Sequence, residues 1–296
     1  MEIFRPLVWE HGRFFVDIAT DGCGSGCSYC YLSEPGKPAA YLSKNQVSAL
    51  LHNLISHSGF VPGRHGTLVS LSPGTEPLKN SVAVRNTRMI LEKVLPLGNP
   101  VQLPTKERIP DLIIDVADSS TQFPGQLVVF LSLATMTRSP QLEPGTAGII
   151  DRLKNIELLR GTGLRISAYI KPFLRSAVEE LDHFVTTLNK SQPDSICVGM
   201  RYHVEHRDIR QAHLAGPSRA FPLRGEKHPV KTTCTAEGVT PELISFSKIL
   251  RQRCAPIPVF LTSTCVSAYS ADREPPQQIW NTLPALCVRC RSCGTS

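Results

Sequence analysis

Short apolar runs alternate with longer amphipathic ones along most of the chain. Six of the short runs read as strands: Phe14–Ala19, Thr67–Leu71, Pro100–Leu103, Leu127–Leu133, Arg165–Ile170 and Ser195–Arg201. Each is rich in Val, Ile, Leu or Phe and is bounded by Gly, Pro or polar residues. Between them the apolar residues recur at helical spacing. Ser43 stands where it can cap a helix carrying Val47, Leu50, Leu51, Leu54 and Ile55. Further helices are expected over Val82–Val94, over Asp111–Ala117, from Thr146 through Ile149, Leu153 and Ile156 to a stop at Gly161, and over Leu174–Leu188.

Six β-then-α units in succession imply parallel strands joined by right-handed crossovers. A full eight-unit barrel takes about 250 residues, whereas this repeat ends near residues 200–230. The expected fold is α/β: a partial (β/α)6 TIM-like barrel over residues 1–231, followed by a small cysteine-rich extension over 232–296. The extension contains one helix candidate, Pro241–Arg253, and the strand-like Pro258–Thr262.

Composition narrows the class. A hydrophobic content of 41% with 19% charged residues fits a soluble globular protein. The first residues, MEIFRPLVWEHGRFF, are interrupted by charge and lack the apolar core of a signal peptide. No apolar run approaches the roughly 18 residues that a membrane span needs. A cytoplasmic protein without a membrane partner is the expectation. The net charge of +7 is concentrated in residues 201–231, where seven Lys and Arg face three acids, with four histidines interleaved. Such a stretch is either a solvated basic surface or a funnel for a phosphorylated or nucleic-acid substrate.

The cysteines change the picture most. Ten occur, three of them within residues 23–30 and three within 287–293. Thiolates this close suit a metal or cluster better than a disulfide framework. Cys23, Cys27 and Cys30 are spaced C-x3-C-x2-C in FFVDIATDGCGSGCSYCYL, on a Gly-rich loop after the first strand. Active sites of barrel folds sit on such loops. Three thiolates can hold three irons of a four-iron cluster and leave the fourth open. A zinc site closed by a distant fourth ligand uses the same residue types. Cys287, Cys290 and Cys293 are spaced C-x2-C-x2-C, and Cys265 is the most plausible fourth member. These four suit a second [4Fe–4S] cluster or a structural zinc. Cys254 is the next candidate ligand, while Cys197 and Cys234 read as ordinary buried thiols.

The first motif resembles the signature of the radical S-adenosylmethionine enzymes, C-x3-C-x-aromatic-C, with Tyr29 at the aromatic position. Ser72-Pro73-Gly74-Thr75-Glu76-Pro77 is similar to that family's Gly-Gly-Glu segment. Thr105-Lys106 is similar to a Thr-Lys pair of the spore photolyase-like branch, as is the Leu-Glu-Pro-Gly stretch at 142–145, followed by a helix with Arg152. The resemblance spans about residues 14–201.

It implies a [4Fe–4S] cluster on Cys23, Cys27 and Cys30 that cleaves S-adenosylmethionine reductively to a 5′-deoxyadenosyl radical, which takes hydrogen from a second substrate. Electrons would come from a reducing partner such as flavodoxin or ferredoxin. Gly74, Thr75 and Glu76 would bind the methionine ammonium, Lys106 its carboxylate, and Ser132 and Thr135 the cosubstrate by hydrogen bonds. Tyr29 would pack near the adenine, and Tyr31 would stand close to the substrate as a catalytic residue. Spore photolyase returns hydrogen from a cysteine between the cluster loop and the third strand, whereas residues 31–196 contain no cysteine. The leading reading is therefore a biosynthetic enzyme acting on a small, anionic, phosphorylated or nucleotide-like substrate, with Arg201 and Arg207 as its contacts. DNA or RNA repair or modification is the alternative, and a non-catalytic iron–sulfur electron carrier is the third reading.

Overall fold

The computed structural model describes residues 7–10, 13–30, 37–200, 202–206, 219–220, 232–236 and 240–273. Tyr31, Arg201, Arg207, Cys287, Cys290 and Cys293, all singled out above, lie outside these residues.

The six expected strands form one sheet. β1 (Leu7–Glu10) pairs antiparallel with β2 (Arg13–Val16). From β2 the sheet continues in parallel through β3 (Leu68–Leu71), β4 (Val101–Thr105), β5 (Leu127–Ser132), β6 (Arg165–Ile170) and β7 (Ser195–Val198). A separate antiparallel sheet comprises β8 (Tyr202–His206), β9 (Arg219–Ala220) and β10 (Thr232–Ala236). Beyond these, β11 (Val259–Phe260) adds a seventh parallel strand beside β7. The stretch 240–273 thus shares the sheet and core of the residues before it.

Local chemistry explains where the helices begin. α1 (Lys44–Ile55) opens on a capping box in which Ser43 accepts from the Gln46 amide and the Gln46 side chain accepts from the Ser43 amide. Asn80 caps α2 (Ser81–Val94), and Pro110 precedes α3 (Asp111–Ser120). Two short elements follow, α4 (Ser139–Leu142) and then α5 (Ile149–Leu158). The helix expected over 174–188 is split into α6 (Arg175–Glu179) and α7 (Leu181–Ser191). Thr240 caps α8 (Pro241–Arg253), with Pro241 at its first position, where no amide is needed. α9 (Ser263–Ser270) is the last described element. No described helix is long and apolar enough to cross a membrane.

Alternation along the strands divides the core between two faces. Val16, Leu71, Leu103 and Leu131 point outward against α1, α2 and α3, where Leu54, Ile90, Leu91 and Ile113 meet them. Ile170 and Val198 do the same against Phe184 of α7 and Phe246 of α8. The residues between point inward, and there Val128, Phe130, Cys197 and Phe260 pack on Cys265 and Val266 of α9. Gln102 fastens this helix to β4 by donating to the Ser263 carbonyl (3.0 Å) and the Ser267 hydroxyl (2.9 Å). α9 therefore plugs the concave face of the sheet.

Candidate active site

The loop after β2 carries the three cysteines, and its backbone is tied down along its length. Cys23 and Gly24 donate to the Lys37 carbonyl at 3.1 and 2.8 Å, and Thr20 donates to that of Ala40 at 2.7 Å. Gly22 has φ +67°, and a Cβ there would lie 2.4 Å from the Pro38 carbonyl oxygen, so only glycine fits. Cys23, Cys27 and Cys30 form no disulfide among the described residues; Cys27 is buried and the other two are partly exposed. Burial pushes the Cys27 thiol up to about 11; the Lys106 ammonium pulls against this, while Glu143, Cys30 and Cys23 add to the rise. Among the described residues no three His, Cys, Asp or Glu side chains close around a single metal ion. A multi-iron cluster is a larger body whose thiolates sit on different irons.

The next two strands bring an acid and a base to this loop. Glu76 is buried, and accepts from the Thr105 hydroxyl at 2.5 Å, the Lys106 amide at 2.8 Å and the Leu78 amide at 3.3 Å. Burial pushes its carboxyl above the ordinary range, against the Thr105 and Lys106 contacts. For Lys106 burial opposes the charge, yet Cys27, Glu143 and Glu76 hold its ammonium above the usual lysine value. That ammonium stands 5.9 Å from the centre of the Tyr29 ring. The Gly74 amide donates to Asp17 at 3.2 Å, and the Thr75 hydroxyl to the Gly22 carbonyl at 2.6 Å. The Gly-Thr-Glu turn thus braces the cysteine loop from the side.

Ser132 ends β5, Thr135 follows it, and the two differ in kind. Ser132 is 4% exposed, and its hydroxyl has no hydrogen-bond partner among the described residues; nor has that of Ser72, also buried just after β3. An unsatisfied buried hydroxyl costs about 1–3 kcal/mol, which a bound ligand can recover. The Thr135 hydroxyl is committed within the chain, donating to Glu180 at 2.9 Å. Orphaned hydroxyls, a buried acid–base pair and a glycine-lined thiol loop, all at the carboxyl ends of neighbouring strands, fit a four-iron cluster with S-adenosylmethionine beside it.

Several participants carried no assigned role in the sequence. Glu143, of the Leu-Glu-Pro-Gly stretch, is fully buried and pairs with an equally buried Arg152 at 2.7 Å. Its other carboxylate oxygen accepts from the Tyr29 hydroxyl. Burial, with Glu143 adding to it, pushes that phenol far above the ordinary tyrosine range. The signal available for this pair was a charge four residues before Ile156 on the apolar stripe of a helix. Lys171, two residues beyond Tyr169 on β6, places its ammonium 5.6 Å from the Tyr169 ring. Register sets Tyr169 between Ser132 and Cys197, so this cation stands at the end of the inward-facing row. Of the second cysteine group, Cys265 alone is described, and it packs in the inner core. Cys254 is buried in the outer core, where α8 ends. Cys197 is buried as expected, which pushes its thiol up to about 12 against the opposing pull of Lys171.

The strand order and the parallel register define a partial (β/α) barrel, with the cysteine loop, Glu76, Lys106 and Ser132 at the carboxyl ends of its strands. Among solved structures the chain is similar to spore photoproduct lyase complexed with dinucleoside spore photoproduct, with a TM-score of 0.54 and 14% sequence identity over 81% of this chain and 74% of that one. A cysteine-to-alanine variant of that lyase with the same dinucleoside matches over the same shares, with a TM-score of 0.53 and 14% identity. At this identity the likeness establishes the fold, and the spore photolyase-like resemblance holds at that level. No protein-family model and no curated protein matches the chain.

Proposed function

We propose that this chain is a radical S-adenosylmethionine enzyme, with Cys23, Cys27 and Cys30 holding a [4Fe–4S] cluster. The observation that carries the proposal is the convergence of the pinned thiol loop, the Glu76–Thr105–Lys106 group and the orphaned Ser132 hydroxyl at one end of the sheet. When bound and reduced, by a partner such as flavodoxin or ferredoxin, the cluster supplies the electron that cleaves S-adenosylmethionine.

The chain's own residues bind and orient. The Lys106 ammonium is a charge-assisted donor for the methionine carboxylate. Glu76 is an anion suited to the methionine ammonium, and the Thr105 hydroxyl and Lys106 amide fix its orientation. Ser132 offers its unused hydroxyl to the cosubstrate. Beneath it, Phe130, Phe260 and Val266 form an apolar floor that keeps water from the reacting atoms.

The second substrate is read as a small anion. Lys171 supplies a described cation at the mouth, and Arg201 and Arg207 follow the last strand of the six-unit repeat in sequence. Repair of a nucleic-acid lesion is a second reading, favoured by the likeness to a lyase bound to dinucleoside spore photoproduct. Equilibrium binding of S-adenosylmethionine to anaerobically reconstituted protein tests the assignment. Lys106→Met removes one charge-assisted contact and should weaken binding about 10- to 100-fold. Unchanged affinity would remove Lys106 from the site.

A further inference from the structure

Three bonds tie the cysteine loop to the Leu-Glu-Pro-Gly stretch. The Ser28 amide donates to the Leu142 carbonyl at 2.9 Å, the Gly145 amide to the Ser25 carbonyl at 3.0 Å, and the Tyr29 hydroxyl to Glu143. A Cβ at Gly145 would stand 2.7 Å from the Ser25 carbonyl oxygen, so the two segments touch through bare backbone. Lys79 holds the stretch from its other side, donating to the Gly145 carbonyl while pairing with Glu107 at 2.9 Å.

Behind this seam the Glu143–Arg152 pair is a closed unit. A guanidinium has five N–H donors, and here all three of its nitrogens are engaged within the chain. Nε donates to the Ala147 carbonyl (2.8 Å). One terminal nitrogen serves the Ser132 carbonyl (2.9 Å) and Glu143 (2.7 Å), and the other the hydroxyls of Ser139 (3.2 Å) and Thr146 (2.5 Å). Arg152 is fully buried. Its chemistry is spent on holding one carboxylate in place, and that carboxylate faces the cysteine loop.

We propose that Tyr29, Glu143 and Arg152 are positioning residues: the buried ion pair is a fixed post, Tyr29 fastens the cluster loop to it, and the charge held there sets the electron affinity of the bound cluster. The cluster itself rests on the functional reading above, whereas the fastening does not. A negative charge nearby favours the oxidised cluster, because reduction adds an electron against it. Hydrogen bonding from Tyr29 and pairing with Arg152 partly offset that charge.

The test uses the full chain and two conservative variants. Tyr29→Phe leaves the fold intact and deprives Glu143 of a donor. The potential of the cluster, read by redox titration of its spectroscopic signal, should shift to a more negative value, and a chelator should strip iron several-fold faster. Glu143→Gln removes the charge and should shift the potential the opposite way. A merely structural brace would lower melting temperature without opposite-signed shifts, so shifts of one sign, or none, overturn the proposal. If Glu143→Gln fails to fold, Tyr29→Phe decides alone: its potential must fall and its iron loss quicken, and failure of either overturns the proposal. Metal-free protein separates the two claims. There, destabilisation by Tyr29→Phe should be non-additive with that by Glu143→Gln or, if the latter cannot be made, with that by Ser139→Ala. Additivity overturns the fastening whether or not a cluster binds.

Discussion

Glu180 sits where α6 meets α7, and one turn surrounds its carboxylate with donors. The Thr137 hydroxyl lies 2.5 Å away, the Met136 amide 2.7 Å and the Thr135 hydroxyl 2.9 Å. Burial alone would raise its carboxyl, but these bonds outweigh burial and hold it below the ordinary glutamate value. A group depressed in the folded state stabilises fully above its unfolded pKa, near 4.3, and that contribution fades as pH falls through the folded value. The stability gap between the wild type and Glu180→Gln should therefore be constant from pH 7 to about pH 5 and shrink below about pH 4. Urea unfolding at several pH values reads it, and a pH-independent gap would contradict the assignment. Thr135 takes its meaning from this residue: its hydroxyl anchors the turn that follows Ser132.

Among the elements, α2 shows how far pattern reading reaches. Ala83, Ile90, Leu91 and Val94 recur at helical spacing, and all are buried against the sheet as the periodicity requires. Leu91→Ala removes a fully buried side chain that the packed helix cannot replace, and should cost about 2–5 kcal/mol in chemical denaturation. A loss under 1 kcal/mol would mean that the site collapses freely around the smaller residue. The same periodicity exposed α1, α3, α5 and α8, because each buries a single stripe. It did not expose α9, where Thr264 through Ala268 are buried consecutively and no face stays polar. The Glu143–Arg152 pair was legible as a motif but not as a bond, since an arginine on an apolar stripe has meaning only once its acceptors are in place.

Across the whole molecule the strand rhythm pointed to the barrel, and the cysteine spacing to the chemistry proposed above. Neither could reveal that β11 and α9 return to complete the sheet and fill its concave face. The strand-like Pro258–Thr262 holds β11, but its pattern does not say which strand it joins, and the octapeptide of α9, mostly small side chains, leaves no period to detect. Cys265 consequently stands in the inner core, and its grouping with Cys287, Cys290 and Cys293 is a proposal. The double variant Cys27→Ala, Cys30→Ala isolates it: if a second four-iron cluster is present, metal analysis should still find about four irons per chain. Zinc instead, or no metal, would reject the iron–sulfur reading.

The central claim is that the loop cysteines hold a cluster that cleaves S-adenosylmethionine. Its most direct test is product analysis after anaerobic reconstitution and reduction, with the wild type and the Cys27→Ala, Cys30→Ala variant side by side. The wild type should yield methionine and 5′-deoxyadenosine in equal amounts, and the variant neither. Equal turnover by both proteins, or none by a wild type shown to carry the cluster, would contradict it.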